Sequence, residues 1–110
     1  MKLLTDKLKY MMPKLGSTEN TPCDEKEFLV KFFNPMGDWT WLVAEGEELD
    51  DGDWQFFGLV KGFETEWGYF CLSELESVDV GFGLGIERDI LFGDANDHPE
   101  WAKDYSEAAS

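Results

Sequence analysis

Four short runs of aromatic and β-branched residues dominate the middle of this chain. They cover residues 28–33, 39–45, 54–61 and 66–71. Such runs are typical of β-strands, and the segments between them contain the glycine, proline, asparagine and aspartate that form tight turns. Because connections of this length join neighbouring antiparallel strands, the pattern predicts a four-stranded meander. A chain of 110 residues with 43% hydrophobic residues has enough apolar side chain to build one core on such a sheet.

Helical patterns flank the predicted strands. Thr5 can cap a short helix that runs to Met12, and Ser73 followed by Glu76 has the spacing of a capping box. Residues 86–92 alternate again and add another strand. We expect one α+β domain over residues 1–93, with a mainly antiparallel sheet of about five strands, an N-terminal helix and a short helix after Ser73. Residues 94–110 form an acidic tail whose apolar residues recur at helical spacing.

The net charge of the chain limits its partners. Asp and Glu number 24 against 9 Lys and Arg, which gives a net charge of −15. Affinity for nucleic acid comes mainly from Lys and Arg that displace counterions from phosphate, and an anionic membrane repels negative charge. The composition therefore disfavours nucleic acid and membranes as direct partners. It favours the basic surface of another protein.

Cysteine and histidine content argues against a zinc site. The two cysteines, Cys23 and Cys71, lie in no CxxC motif, and the one histidine, His98, lies in the tail. A zinc site of Cys and His ligands cannot be assembled from this set within one chain. Since no signal-like segment opens the sequence, we expect free thiols, a cytoplasmic location and no metal or other cofactor.

The densest acidic segment spans residues 38–53 and contains no Lys or Arg. Neighbouring carboxylates reinforce one another's field, because the Debye length at physiological salt is about 8 Å. Such a surface can imitate a nucleic-acid backbone, and the alternative is a solvated loop that keeps the protein soluble. The candidate partner-binding residues are the acids and tryptophans of this segment: Glu45, Glu47, Glu48, Asp50, Asp51, Asp53, Trp39 and Trp41.

Arg88 is the only arginine of the chain. On a strand, its side chain shares a half-buried face with Ile86 and Ile90, and a guanidinium there needs a carboxylate partner. We expect a structural ion pair with Glu74 or Glu76, or with Glu45. A catalytic arginine is the alternative, which we disfavour because no nucleophile or base accompanies it.

Five motifs link the chain to a known family. They are VKFFNP at 30–35, WTWLVAEGE at 39–47, DGDWQFFGLVKG at 51–62, WGYFCLSELESV at 67–78 and GLGIERDILF at 83–92. Together they resemble a bacterial family known as domain of unknown function 2958. Proteins of this family occur on plasmids, integrative elements and phages, so the resemblance implies a role in mobile-element biology. It implies no catalytic residues.

These observations predict a non-enzymatic interaction protein of a mobile genetic element. Its acidic face would engage a basic host surface, such as the nucleic-acid channel of a CRISPR effector or a restriction enzyme. It would then act as an anti-CRISPR or antirestriction mimic of nucleic acid. The alternative hypothesis is a small ligand-binding domain or enzyme with a cleft among Trp39, Trp41, Tyr69 and Glu87.

Overall fold

The computed structural model describes residues 2–92, and for Asp24 the backbone alone. The elements in chain order are α1 Asp6–Met11, a 3₁₀ helix Cys23–Glu25, β1 Val30–Phe33, β2 Thr40–Glu48, β3 Trp54–Lys61, β4 Thr65–Cys71, α2 Leu72–Glu76 and β5 Glu87–Arg88. The predicted α+β fold is confirmed. None of the helices in this part of the chain has the length and apolar character needed to cross a bilayer. The helical spacing noted for residues 94–110 lies outside the described residues.

A single five-stranded sheet has the strand order β4-β3-β2-β1-β5, and every neighbouring pair is antiparallel. The first four strands form the meander that their short connections predict. β5 then pairs with β1 at the opposite edge from β4. It has two residues, whereas the sequence pattern predicts a strand over 86–92. The chain leaves the sheet after Arg88, because residues 89–92 form a turn in which the amide of Phe92 donates to the carbonyl of Asp89 (3.2 Å).

The β2–β3 hairpin turns on residues 49–53. The amide of Gly52 donates to the carbonyl of Leu49 (2.9 Å), and the amide of Leu49 donates to the carbonyl of Asp53 (2.7 Å). Gly52 has φ +88°, a left-handed conformation that glycine adopts without steric cost. These bonds form a type I turn followed by a glycine bulge, one of the common hairpin connections.

Apolar side chains cover both faces of the sheet. On one face Phe32 and Phe56 are fully buried, in a cluster that includes the N-terminal segment and Leu75 of α2. Leu42 and Leu59 are fully buried in a second cluster. Because successive strand residues point to opposite sides, this second cluster lies on the other face. The aromatic residues, 15% of the chain, thus serve two cores rather than one.

α2 starts differently from its sequence prediction. It begins at Leu72, with Cys71 as N-cap, and the side chain of Cys71 makes no capping hydrogen bond. Ser73 lies inside the first turn rather than at the cap. The acceptor for its amide is the carboxylate of Asp53 in the β2–β3 turn (3.0 Å), a long-range contact that local sequence does not reveal.

Candidate functional site

Exposed carboxylates gather where the β2–β3 hairpin meets α2. We call five of them the acidic ridge: Glu47 and Glu48 at the end of β2, Asp50 and Asp51 in the turn, and Glu74 in the first turn of α2. The ion pairs found within residues 2–92 lie elsewhere and involve none of these five. The described part of the chain therefore does not neutralise the negative charge of the ridge.

Asp53 fastens the hairpin turn to α2. Its Oδ2 accepts a hydrogen bond from the Ser73 hydroxyl (2.6 Å), and its Oδ1 accepts from the amides of Ser73 (3.0 Å) and Trp54 (2.8 Å). The Ser73 hydroxyl and the two amides stabilise the ionised carboxylate, which lowers the pKa of Asp53. Asp53 belongs to the predicted partner-binding set, but its carboxylate is occupied in holding the ridge together.

The potential of the ridge reaches Cys71, the last residue of β4. Burial raises the pKa of its thiol, and the negative charges of Glu74 and Asp53 raise it further. The thiol is therefore protonated at neutral pH. Cys71 is therefore a poor nucleophile, and the raised pKa of its thiol reflects the negative charges nearby.

Glu45 is buried, only 4% exposed, so its prediction as a partner-binding residue is wrong. Its Oε1 accepts from the amide of Gly16 (2.7 Å), and its Oε2 accepts from the amide (3.1 Å) and the hydroxyl of Thr18. The ammonium of Lys26, also buried, lies 3.9 Å from Oε2. It donates to the carbonyl and the hydroxyl of Thr18. This cluster ties the segment 16–26 to the sheet.

A β-bulge explains the burial of Glu45. The pairing of β2 with β3 shifts register between Val43 and Glu45, so one extra residue enters β2 at this point. A bulge reverses the alternation of side chains beyond it. Glu45 consequently leaves the face of Val43 and points under the segment 16–26.

Trp39 and Trp41 lie at the other end of β2 from the acidic ridge. Eight residue steps separate Thr40 from Glu48, about 26 Å at the usual rise of a strand. Both tryptophans are half-buried: Trp41 packs against the larger core, and the ring of Trp39 lies over Gly62. The predicted partner-binding set is thus not one surface, because its aromatic and acidic members are at opposite ends of the sheet.

Arg88 makes different contacts from those predicted. Its Nη1 donates to the carbonyls of Lys2 (2.9 Å) and Leu3 (3.3 Å), which fastens the N-terminal segment to β5. Glu74 and Glu76 are exposed on α2, and no ion pair within residues 2–92 joins either of them to Arg88. The guanidinium therefore satisfies backbone carbonyls that a strand-based argument does not bring near it.

A cleft of about 530 Å³ lies between the segment 16–26 and the middle of β3 and β4. Its walls include Phe57, Tyr69, Cys23 and Asn20, with the Lys26–Glu45 pair at its side. Of the four residues predicted to line a ligand cleft, only Tyr69 is here. Trp39, Trp41 and Glu87 lie elsewhere on the sheet, Glu87 on the opposite edge strand, so that predicted cleft does not form.

The family assignment agrees with the motifs in the sequence. The family model described as "Protein of unknown function (DUF2958)" matches residues 3–110. The chain belongs to the DUF2958 family. No curated protein and no solved structure matches it. The comparisons therefore name a family for this DUF2958 protein and leave its activity to be argued from its own residues.

Sequence reasoning missed the contacts that hold this DUF2958 protein's site in place. Thr18, Lys26 and Ser73 lie in or beside predicted loops and caps, and their partners are 8 to 27 residues away in sequence. One signal in the sequence points to Lys26: it is the single basic residue in the acidic segment 19–30. A buried acid needs such a partner. Within residues 2–92, no group of three or more His, Cys, Asp and Glu is arranged to hold a metal ion.

Proposed function

We propose that this protein is a non-enzymatic interaction protein that uses the acidic ridge to bind a basic surface on another protein. The observation that supports the proposal is the concentration of five exposed carboxylates at one end of the sheet, with no described cation paired to them. Exposed, unpaired charges of one sign raise the association rate with an oppositely charged surface and add to the affinity at low salt.

The ridge is held in shape before any partner arrives. The hairpin turn has its own backbone bonds, and Asp53 connects it to Ser73 in α2. Preorganised charges bind more tightly than the same charges on a mobile loop, because less conformational entropy is lost. This favours an interface over a loop that only keeps the protein soluble.

The density of negative charge on the ridge suits a surface that ordinarily binds nucleic acid. Four of its carboxylates lie within the five residues 47–51, and duplex DNA likewise presents negative charges close together along its axis. We therefore propose a basic nucleic-acid channel as the partner surface, in a cytoplasmic host defence enzyme of the CRISPR or restriction type. The mobile-element origin implied by the family resemblance supports this choice.

A charge-neutralised variant tests the proposal. It carries Glu47→Gln, Glu48→Gln, Asp50→Asn and Asp51→Asn, and Asp53 stays because it has a structural role. The matched control neutralises four acids from the other end of the sheet: Asp38→Asn, Glu64→Gln, Glu66→Gln and Glu87→Gln. Both variants change the net charge equally, so a difference between them reports the position of the charge.

The measurement is capture from host lysate on immobilised protein, followed by elution with duplex DNA. We expect the wild type and the control to retain a DNA-displaceable protein at about 50 mM salt and to lose it at about 500 mM, and the ridge variant to retain none. Unchanged tryptophan fluorescence shows that each variant is folded. Equal capture by the ridge variant and the wild type would refute the proposal.

A further inference from the structure

β4 is an edge strand of the sheet that residues 2–92 form, and its hydrogen-bonding pattern can be derived. The amide of Gly62 donates to the carbonyl of Glu64 (3.0 Å). Antiparallel strands bond at every second pair, so the even-numbered residues of β4 bond to β3. Thr65, Trp67 and Tyr69 therefore direct their amides and carbonyls away from the sheet. No hydrogen bond to these outward groups occurs within residues 2–92.

This edge has few of the features that prevent strands from pairing with other chains. β4 has seven residues, no proline and one charged residue, Glu66. Tyr69 is 66% exposed, a large value for an aromatic residue in the middle of a strand. The opposite edge is protected by brevity, because β5 has two residues. An exposed, long and apolar edge strand is normally shortened, charged or covered in a soluble protein.

We propose that a second copy of this chain pairs with β4 edge to edge, antiparallel about Gly68, so that two sheets of five strands become one of ten. Gly68 is the midpoint of β4, and this register uses the whole strand. Trp67 then faces Tyr69 of the second copy, and Thr65 faces Cys71 of the second copy. The Trp67–Tyr69 pair occurs twice and can exchange two bonds each time. The Thr65–Cys71 pair also occurs twice but gives one bond each time, because the carbonyl of Cys71, the N-cap of α2, accepts within the helix, so about six bonds form in all.

The side chains of β4 are self-complementary in this register. Trp67 and Tyr69 lie on the same face, so the pairing brings two aromatic cross-strand contacts together. The single acid, Glu66, faces Phe70 of the second copy. The two Glu66 carboxylates are four residue steps apart, about 13 Å along the strand, which exceeds the Debye length of about 8 Å at physiological salt. Within β4, therefore, no two like charges face each other in this register.

The pairing goes beyond the proposed function, and salt separates the two. Each chain has a net charge of −15, so raising the salt concentration weakens repulsion between copies and strengthens the dimer. The same change weakens capture of a basic partner. A dimer without capture, or capture without a dimer, identifies which of the two proposals is wrong.

Sedimentation velocity on the purified chain tests the pairing. We expect a species of twice the 12.6 kDa chain mass at about 100 µM protein, with a larger dimer fraction at about 500 mM than at about 50 mM salt. Tyr69→Pro removes an outward amide without removing a bond to β3, so it should leave only monomer. Tyr69→Ser keeps the amide and should weaken the dimer less.

Thr65→Pro, with Thr65→Ala as its control, repeats the test at the start of the strand, in case Tyr69→Pro does not fold. A chain that is monomeric at every concentration and salt would overturn the proposal. So would a dimer that Tyr69→Pro or Thr65→Pro, shown by circular dichroism to be folded, leaves intact.

Discussion

Replacing Glu45 tests whether the buried cluster of Glu45, Thr18 and Lys26 stabilises the fold or only lies beside the cleft without adding to stability. Glu45→Ala removes the acceptor of the Gly16 amide, the Thr18 amide and the Thr18 hydroxyl. It also leaves the ammonium of Lys26 without its carboxylate in a site where both side chains are about 95% buried. Each of these losses destabilises the folded state, because the stranded groups are cut off from water.

The expected cost follows from that count. Removing one partner of a buried ion pair costs about 3–5 kcal/mol, chiefly because the other charge stays buried alone. Glu45→Gln should cost less, since the amide oxygen still accepts a hydrogen bond. Adding Lys26→Met to Glu45→Gln removes the stranded charge, so the double variant should be more stable than the sum of the single losses predicts, by about 0.5–3 kcal/mol.

Urea unfolding followed by tryptophan fluorescence measures these costs. For a domain of this size the urea slope is about 1–2 kcal/mol per M, so Glu45→Ala should lower the midpoint by roughly 1.5–5 M. Hydrogen exchange at Gly16 and Thr18 shows whether the segment detaches before the sheet unfolds. A midpoint within about 0.5 M of the wild type, with both amides still protected, would refute the reasoning.

Three further outcomes follow from single contacts. Ser73→Ala removes the main cause of the low pKa of Asp53, so that pKa should rise toward the ordinary value of 3.8 in an NMR titration. A carboxyl whose pKa is lowered by folding adds stability that is fully present above its ordinary pKa and is lost as the pH falls through the folded pKa. Ser73→Ala should therefore lose less stability than the wild type on acidification. Gly58→Ala places a Cβ only 1.8 Å from the carbonyl oxygen of Leu42 and should destabilise the sheet by more than about 3 kcal/mol; a melting temperature close to that of the wild type would contradict this. Cys71 should react with iodoacetamide at pH 8 more slowly in the folded than in the urea-unfolded chain, and equal rates would show that its pKa is not raised.

The strands were predictable because their signal is local. Alternating aromatic and β-branched residues, separated by Asp-Asp-Gly and Asn-Pro turn sequences, determine each strand and its direction within a few residues of chain. The helix cap at Thr5 was predictable for the same reason, and its hydroxyl accepts from the amide of Leu8 (3.3 Å). Each of these interactions joins residues close together in sequence.

The candidate site was only partly predictable. The run of acids around the hairpin is visible in the sequence, but the bulge that turns Glu45 inward is not, because a bulge is fixed by the register of two strands. Likewise, alternation places Trp39 and Trp41 on one face without showing that the acidic turn lies at the far end of the strand. Charge and periodicity in the sequence identify the candidate site residues. The pairing of the strands decides which of these residues lie close together.

The sequence by itself determined the antiparallel meander, the excess of negative charge and the turn that carries most of the acidic ridge, since all three depend on neighbouring residues. The tertiary structure alone decided that Glu45 and Asp53 are structural, that Arg88 holds the N-terminal segment, and that β4 is an edge strand of the sheet within residues 2–92. These outcomes depend on contacts between distant parts of the chain. Their free energies come from burial and pairing, which no local propensity encodes.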